Sequence, residues 1–147
     1  MARIKINFPT DFVFQTEIPV RITDINYGGH MGNNVYLEIM QEARIRFLKS
    51  HGFTEVDIAG ASIILGDAAA VYKAEVFYGD TMIVKIAADD FSRMSCDLKY
   101  QFLNRDTGKE VARGKTAVVF FDYKTRSMVD MPEKFKEIFI NSLNEDY

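Results

Sequence analysis

The segment Arg21-Ile-Thr-Asp-Ile-Asn-Tyr-Gly-Gly-His-Met-Gly-Asn-Asn-Val-Tyr36 gathers Asp24, Asn26, His30, Asn33 and Asn34 around three glycines, Gly28, Gly29 and Gly32. Such a set can do acid–base and anion-binding chemistry. An imidazole changes protonation near neutrality and can take a proton from water. A loop that runs into a helix gathers unpaired backbone N–H groups at the positive end of the dipole, where they hold an anion or a developing oxyanion. Glycine lets the backbone come close to a ligand. A structural reading stands beside this one: Asp24 and Asn26 closing Asx turns, and Asn33 only capping the helix. The chain has no GxxxxGK[ST] and no GxSxG, so neither a phosphate loop nor a nucleophile elbow is present.

The loop must be held by its neighbours. A helix is expected over roughly 33–51. Tyr36, Ile39, Met40, Ala43 and Phe47 recur at helical spacing, Asn33 or Asn34 can serve as N-cap, and Gly52 stops the helix. Before the loop, 13–22 reads as a strand that Pro19 confines to a sheet edge or a bulge. After the helix, 61–77, 82–91, 96–103 and 110–123 read as strands. They are separated by turns at Gly79-Asp80, Ser92-Arg93 and Asp106-Thr107-Gly108, which suggests one antiparallel meander. Pro132 opens a short final helix with Phe135, Ile138, Phe139 and Leu143 on one face. One strand, one long helix and then a run of strands is an α+β order, with the sheet curled around the helix to bury its stripe.

The 147 residues show no repeat or linker and suit a single domain over 1–147. At 48% hydrophobic, 27% charged and a net charge of -3, the composition is that of a globular protein. It makes nucleic acid or an anionic membrane a poor partner. The lone Cys96 cannot form an intrachain disulfide or a zinc ribbon. No 18-residue apolar run and no secretory leader are present, so the expectation is a cytoplasmic protein without a membrane span.

The stretch from Val20 through Asp24, Asn26, the Gly28-Gly-His30 turn and Asn33-Asn-Val-Tyr36, continued by Ala43-Arg44 and Phe47-Leu48, resembles the opening of hotdog-fold thioesterases of the 4-hydroxybenzoyl-CoA thioesterase type. Later pieces are similar too: Tyr72-Lys-Ala-Glu-Val-Phe-Tyr-Gly-Asp80, Val111-Ala-Arg-Gly114, Val119-Phe-Phe-Asp122 and Met131-Pro-Glu133. The resemblance implies an antiparallel sheet wrapped round one helix. It implies a homodimer joined edge to edge, or a homotetramer built from it, with sites between subunits. It also implies hydrolysis of acyl-CoA or acyl-carrier thioesters without metal or organic cofactor, coenzyme A being part of the substrate.

The resemblance further implies residue roles. The Asn33 amide would polarise the carbonyl, with Asp24, Asn34 and Tyr36 near the substrate. The family's catalytic aspartate position is Asn26 here, and an amide can neither attack as a carboxylate nor take a proton at pH 7. His30 is then the nearest base, and Asn26 positions the water. Glu75 resembles the glutamate that assists a histidine in plant acyl-carrier thioesterases. Asp67, inside an apolar stretch, and Glu42 are further candidate carboxylates. Arg93 and Ser95, in a turn similar to the family's basic-serine turn, would meet a coenzyme A phosphate, or else form an ordinary solvated turn. The leading expectation is therefore an acyl-CoA thioesterase. A non-catalytic acyl-CoA binder and an enoyl-thioester hydratase or dehydratase are the alternatives.

Overall fold

In the centre of the sheet apolar side chains alternate with polar ones, and the alternation decides which face is buried. Three strands carry it, β3 (Thr81–Asp89), β4 (Ser95–Asn104) and β5 (Glu110–Asp122). Val84, Ile86, Leu98, Tyr100, Phe102, Val118 and Phe120 are all buried. The opposite face of the same strands carries Lys85, Lys99, Gln101, Arg113 and Lys115. The helix α1 (Val35–Ser50) lies on the apolar face and buries Tyr36, Ile39, Met40, Ala43, Phe47 and Leu48 there. The structure is a computed structural model that describes residues 2–140.

The remaining elements are β1 (Phe14–Pro19), a single 3-10 turn (Ile22–Asp24), β2 (Ser62–Tyr72), the short β6 (Ser127–Met128) and α2 (Glu133–Ile138). The sheet order is β1-β3-β4-β5-β2, with β6 beside β5, and every pairing is antiparallel. Pro19 sits on an edge strand opposite Thr81, as its missing N–H requires.

The meander holds for β3, β4 and β5 but not for β2. That strand crosses to the far side and pairs with β5, while β1 takes the free edge of β3. The predicted strand over 61–77 stops at Tyr72 because the Lys73 and Ala74 amides both turn onto the Val111 carbonyl, at 2.9 and 3.1 Å. The Gly79-Asp80 turn therefore starts β3 rather than closing a hairpin. Its Asp80 carboxylate accepts from the Phe77 amide at 2.9 Å.

Helix α1 starts after Asn34, whose side chain makes no capping hydrogen bond. At the chain's end, Phe135 and Phe139 of the predicted final helix pack on Phe120 and Phe47, at 5.0 and 5.8 Å between ring centroids. Leu143 lies outside the described residues. The segment before β1 straps the charged face of the sheet. Arg113 donates to the Ile6 carbonyl at 2.8 Å and stacks on Phe8, and Lys99 donates to the Asn7 carbonyl at 2.6 Å.

Gly114 leaves room on the sheet for the Met40 side chain of α1. A β-carbon there would press into the Met40 sulfur, and Met40 is fully buried. Gly114→Ala is expected to cost about 1–3 kcal/mol by overpacking, read from urea unfolding midpoints. A loss under about 0.5 kcal/mol would show that Met40 swings clear at no cost.

Candidate active site

The loop at the N-terminal end of α1 is built by local hydrogen bonds. Asp24 is buried, and its carboxylate accepts from the Arg21 amide at 2.8 Å and the Arg21 guanidinium at 2.9 Å. Burial alone would raise this carboxyl, but the hydrogen bonds and charge of Arg21 outweigh it and hold the group below its usual range. The Asp24 carbonyl accepts from Gly32, and Ile25 bridges Met31, so the loop folds back on itself. At the tip, Asn26 closes an Asx turn: its Oδ1 accepts from the Gly28 amide at 2.9 Å. Gly29 has φ +82, a conformation open to glycine at little cost.

This turn aims His30. Its Nδ1 lies 3.1 Å from the Met31 carbonyl. A carbonyl only accepts, so Nδ1 carries a proton, and in the neutral ring Nε2 then presents a lone pair. A β-carbon on Gly28 would fall 3.2 Å from His30 Nε2 and 3.3 Å from Asn26 Oδ1. The missing side chain therefore leaves a small opening where the base and the amide oxygen meet. The Met31 amide donates to the Val76 carbonyl at 2.7 Å and ties the loop to the segment that follows β2.

A cleft of about 260 Å3 opens there, lined by His30, Met31, Asn33, Tyr36, Tyr72, Lys73, Ala74 and Glu75. Four predicted site residues, His30, Asn33, Tyr36 and Glu75, thus share one space although they are up to 45 positions apart in sequence. The Asn33 amide has no acceptor among the described residues. The Asn33 carbonyl is held by the Tyr72 hydroxyl at 3.2 Å. No local pattern marks Tyr72 and Lys73 as lining residues, because they meet the cleft only where β2 ends and the chain turns onto Val111. Lys73 pairs with Glu110 at 2.8 Å. Burial raises the Glu110 carboxyl, and hydrogen bonds from Arg113, Lys73 and Gln101 then bring it down to about 2.

The other predicted residues lie elsewhere in the protomer. Asn26 adjoins the cleft through the His30 ring but does not line it. Asp24 stands behind the loop, and Asn34 is the residue preceding α1. Asp67 follows a bulge in β2, where its carboxylate accepts from Lys115 at 3.0 Å and from the Ala117 amide at 3.2 Å. The Lys115 ammonium holds it below the usual carboxylate range. Arg93 pairs with Asp130 at 3.2 Å, and Ser95 shares a hydrogen bond with Ser92 at 2.7 Å. That turn sits at the other end of α1, since the neighbouring Phe91 packs on Phe139, which packs on Phe47. Glu42 pairs with Arg46 at 3.6 Å and lines a separate crevice beside β1.

A second groove, of about 240 Å3, runs between α1 and β2 past Leu37, Gln41, Leu65, Ala68 and Thr116. Arg44 is buried in it with only 3% of its surface exposed. It donates to the Tyr100 hydroxyl at 3.2 Å and ion-pairs with Glu55 at 3.5 Å. A cation eight positions after Tyr36 in the apolar stripe is the signal that could have found it.

The profile of the thioesterase-like superfamily matches residues 20–139. The chain belongs to that superfamily, whose reaction class is the hydrolysis of thioesters. A relative from Aquifex aeolicus is 26% identical over 129 residues, 86% of this chain and 96% of its own length. The solved 1,4-dihydroxy-2-naphthoyl-CoA thioesterase of Synechocystis superposes with a TM-score of 0.79 at 20% identity, over 87% of this chain and 96% of that one. A DHNA-CoA thioesterase from Staphylococcus aureus gives 0.77 at 22% identity, over 90% and 93%. The architecture is the hotdog fold. Among the described residues no helix is long and apolar enough to cross a membrane.

Proposed function

We propose that this chain hydrolyses acyl-CoA thioesters, with His30 as the general base. The observation that carries the reading is that His30, with its free Nε2, and the unpaired Asn33 amide face one cleft at the positive end of α1. The Asn33 N–H binds the thioester carbonyl. His30 Nε2 takes a proton from water, whose oxygen attacks the carbonyl carbon. The tetrahedral oxyanion collapses, and the thiolate leaves with the proton that His30 returns. Asn26 Oδ1 keeps a second lone pair beyond its bond to Gly28, and that lone pair accepts from the water. Glu75, across the same cleft, stabilises the imidazolium. Coenzyme A enters as part of the substrate, and the steps use the Asn33 backbone amide, side chains and water.

The same reading includes a homodimer. β2 is a free edge eleven residues long, exposed from Leu65 to Ala68, and a long unpaired edge is a ready template for a second chain. Pairing of two such edges would close the groove beside Arg44 and complete an acyl pocket. A tetramer adds a second such pair.

Release of free thiol from short, long and aromatic acyl-CoAs, with protein freed of metal, tests the activity. Hydrolysis of at least one member is expected. Binding across the panel with no thiol released would overturn the reading in favour of an acyl-CoA-binding protein, in which Asn26 at the aspartate position has removed the chemistry.

A further inference from the structure

Tyr36 is the second residue of α1, and long helical side chains lean back toward the N-terminus. Its ring is therefore directed at the cleft, and two aromatic neighbours hold it: Tyr72 at 5.1 Å, and Phe102 edge-on at 5.4 Å. Only 3% of the residue is exposed, yet its hydroxyl makes no hydrogen bond among the described residues and is not one of their buried unpartnered polar atoms, so the oxygen is the part that reaches solvent. Tyr72, by contrast, uses its hydroxyl on the Asn33 carbonyl. Tyr36 lines the cleft together with Asn33, and a solvent-reaching hydroxyl on a residue otherwise buried places its free donor on the cleft side of the ring.

We propose that the Tyr36 hydroxyl is a catalytic residue, the second donor to the thioester oxyanion beside the Asn33 N–H. The proposal rests on the thioesterase reading above and adds a group to it. Burial, with the nearby Tyr72, pushes the phenol up to about 12. It therefore stays protonated throughout the working range and offers its O–H without titrating. Proton transfer from such a phenol to a departing thiolate, whose thiol has a pKa of about 8.5, would be uphill. Tyr36 thus hydrogen-bonds and keeps its proton, and the proton His30 takes from water remains the one that leaves on the thiol. A fixed, part-desolvated donor aimed at the site of developing charge needs little reorganisation when the charge forms.

The test is Tyr36→Phe, assayed on whichever acyl-CoA the wild-type protein hydrolyses. Loss of one oxyanion donor is expected to lower kcat by about 10²-fold with little change in KM. The pH–rate profile should keep its shape, and the melting temperature should not fall, because the hydroxyl has no partner among the described residues. Incorporating 3-fluorotyrosine at position 36 makes a stronger donor and should restore or exceed the wild-type kcat. A kcat within about threefold of wild type would overturn the role of Tyr36 while leaving the hydrolase standing. A fall in melting temperature that accounts for the lost activity would make the hydroxyl structural and also overturn it. Absence of hydrolysis by the wild-type protein would remove the thioesterase reading and this proposal with it.

Discussion

His30→Ala is expected to lower kcat by about 10²–10⁴-fold, the usual contribution of a positioned general base, in a protein that still folds. The fold should survive because the imidazole makes one hydrogen bond within the described residues, from Nδ1 to the Met31 carbonyl. The loop is closed independently by backbone bonds, from Asn26 to the His30 carbonyl at 2.9 Å and from Met31 to Val76 at 2.7 Å. Circular dichroism and the unfolding midpoint check the fold, and thiol release checks the rate. Full activity in a folded His30→Ala protein would move the base to another group, with Glu75 in the same cleft the next to replace.

The largest expected effect on stability belongs to Arg44. Its guanidinium is buried between Glu55 and Tyr100. Arg44→Met keeps most of the volume but leaves the Glu55 carboxylate without its counter-charge. It also leaves Tyr100 with only Thr116, at 2.8 Å, as a partner. Breaking one side of a buried pair costs about 3–5 kcal/mol. The Glu55 side chain keeps 26% of its surface exposed, which places the expectation near the lower end. At about 2–4 °C per kcal/mol for a chain of this size, the melting temperature should fall by roughly 10 °C. Arg44→Met with Glu55→Leu should recover most of the loss, because both charges then go together. A single Arg44→Met protein as stable as wild type, by urea unfolding, would show that the pair contributes nothing.

Burial of Arg44 also shows where reading a sequence by local pattern stops. The E-A-R segment is visible in the chain. That its cation sits in a groove between α1 and β2 depends on which strand lies beside the helix. The expected meander breaks at that very strand. Turn residues and alternation report only neighbours in the chain, and Gly79-Asp80 looks the same whether it closes a hairpin or ends a crossover. The competition between β1 and β2 for the open edge of β3 is settled by packing across the whole sheet. Arg93 and Ser95, expected to meet a coenzyme A phosphate, stand away from the cleft within one protomer, since the length of α1 separates the two ends of the fold.

What was local was legible. The helical stripe from Tyr36 to Phe47, the edge role of Pro19 and the Asx turn of Asn26 follow from side-chain periodicity, a missing N–H and a short-range hydrogen bond. Those residues determine an α+β chain with a polar loop at the positive end of its main helix. The tertiary structure decided which groups meet that loop. Tyr72, Lys73 and Glu75 reach His30 and Asn33 because β2 ends beside the helix N-terminus and the chain there turns onto Val111. Contacts of that kind span tens of residues, and they exist only once the core has chosen which strands lie together.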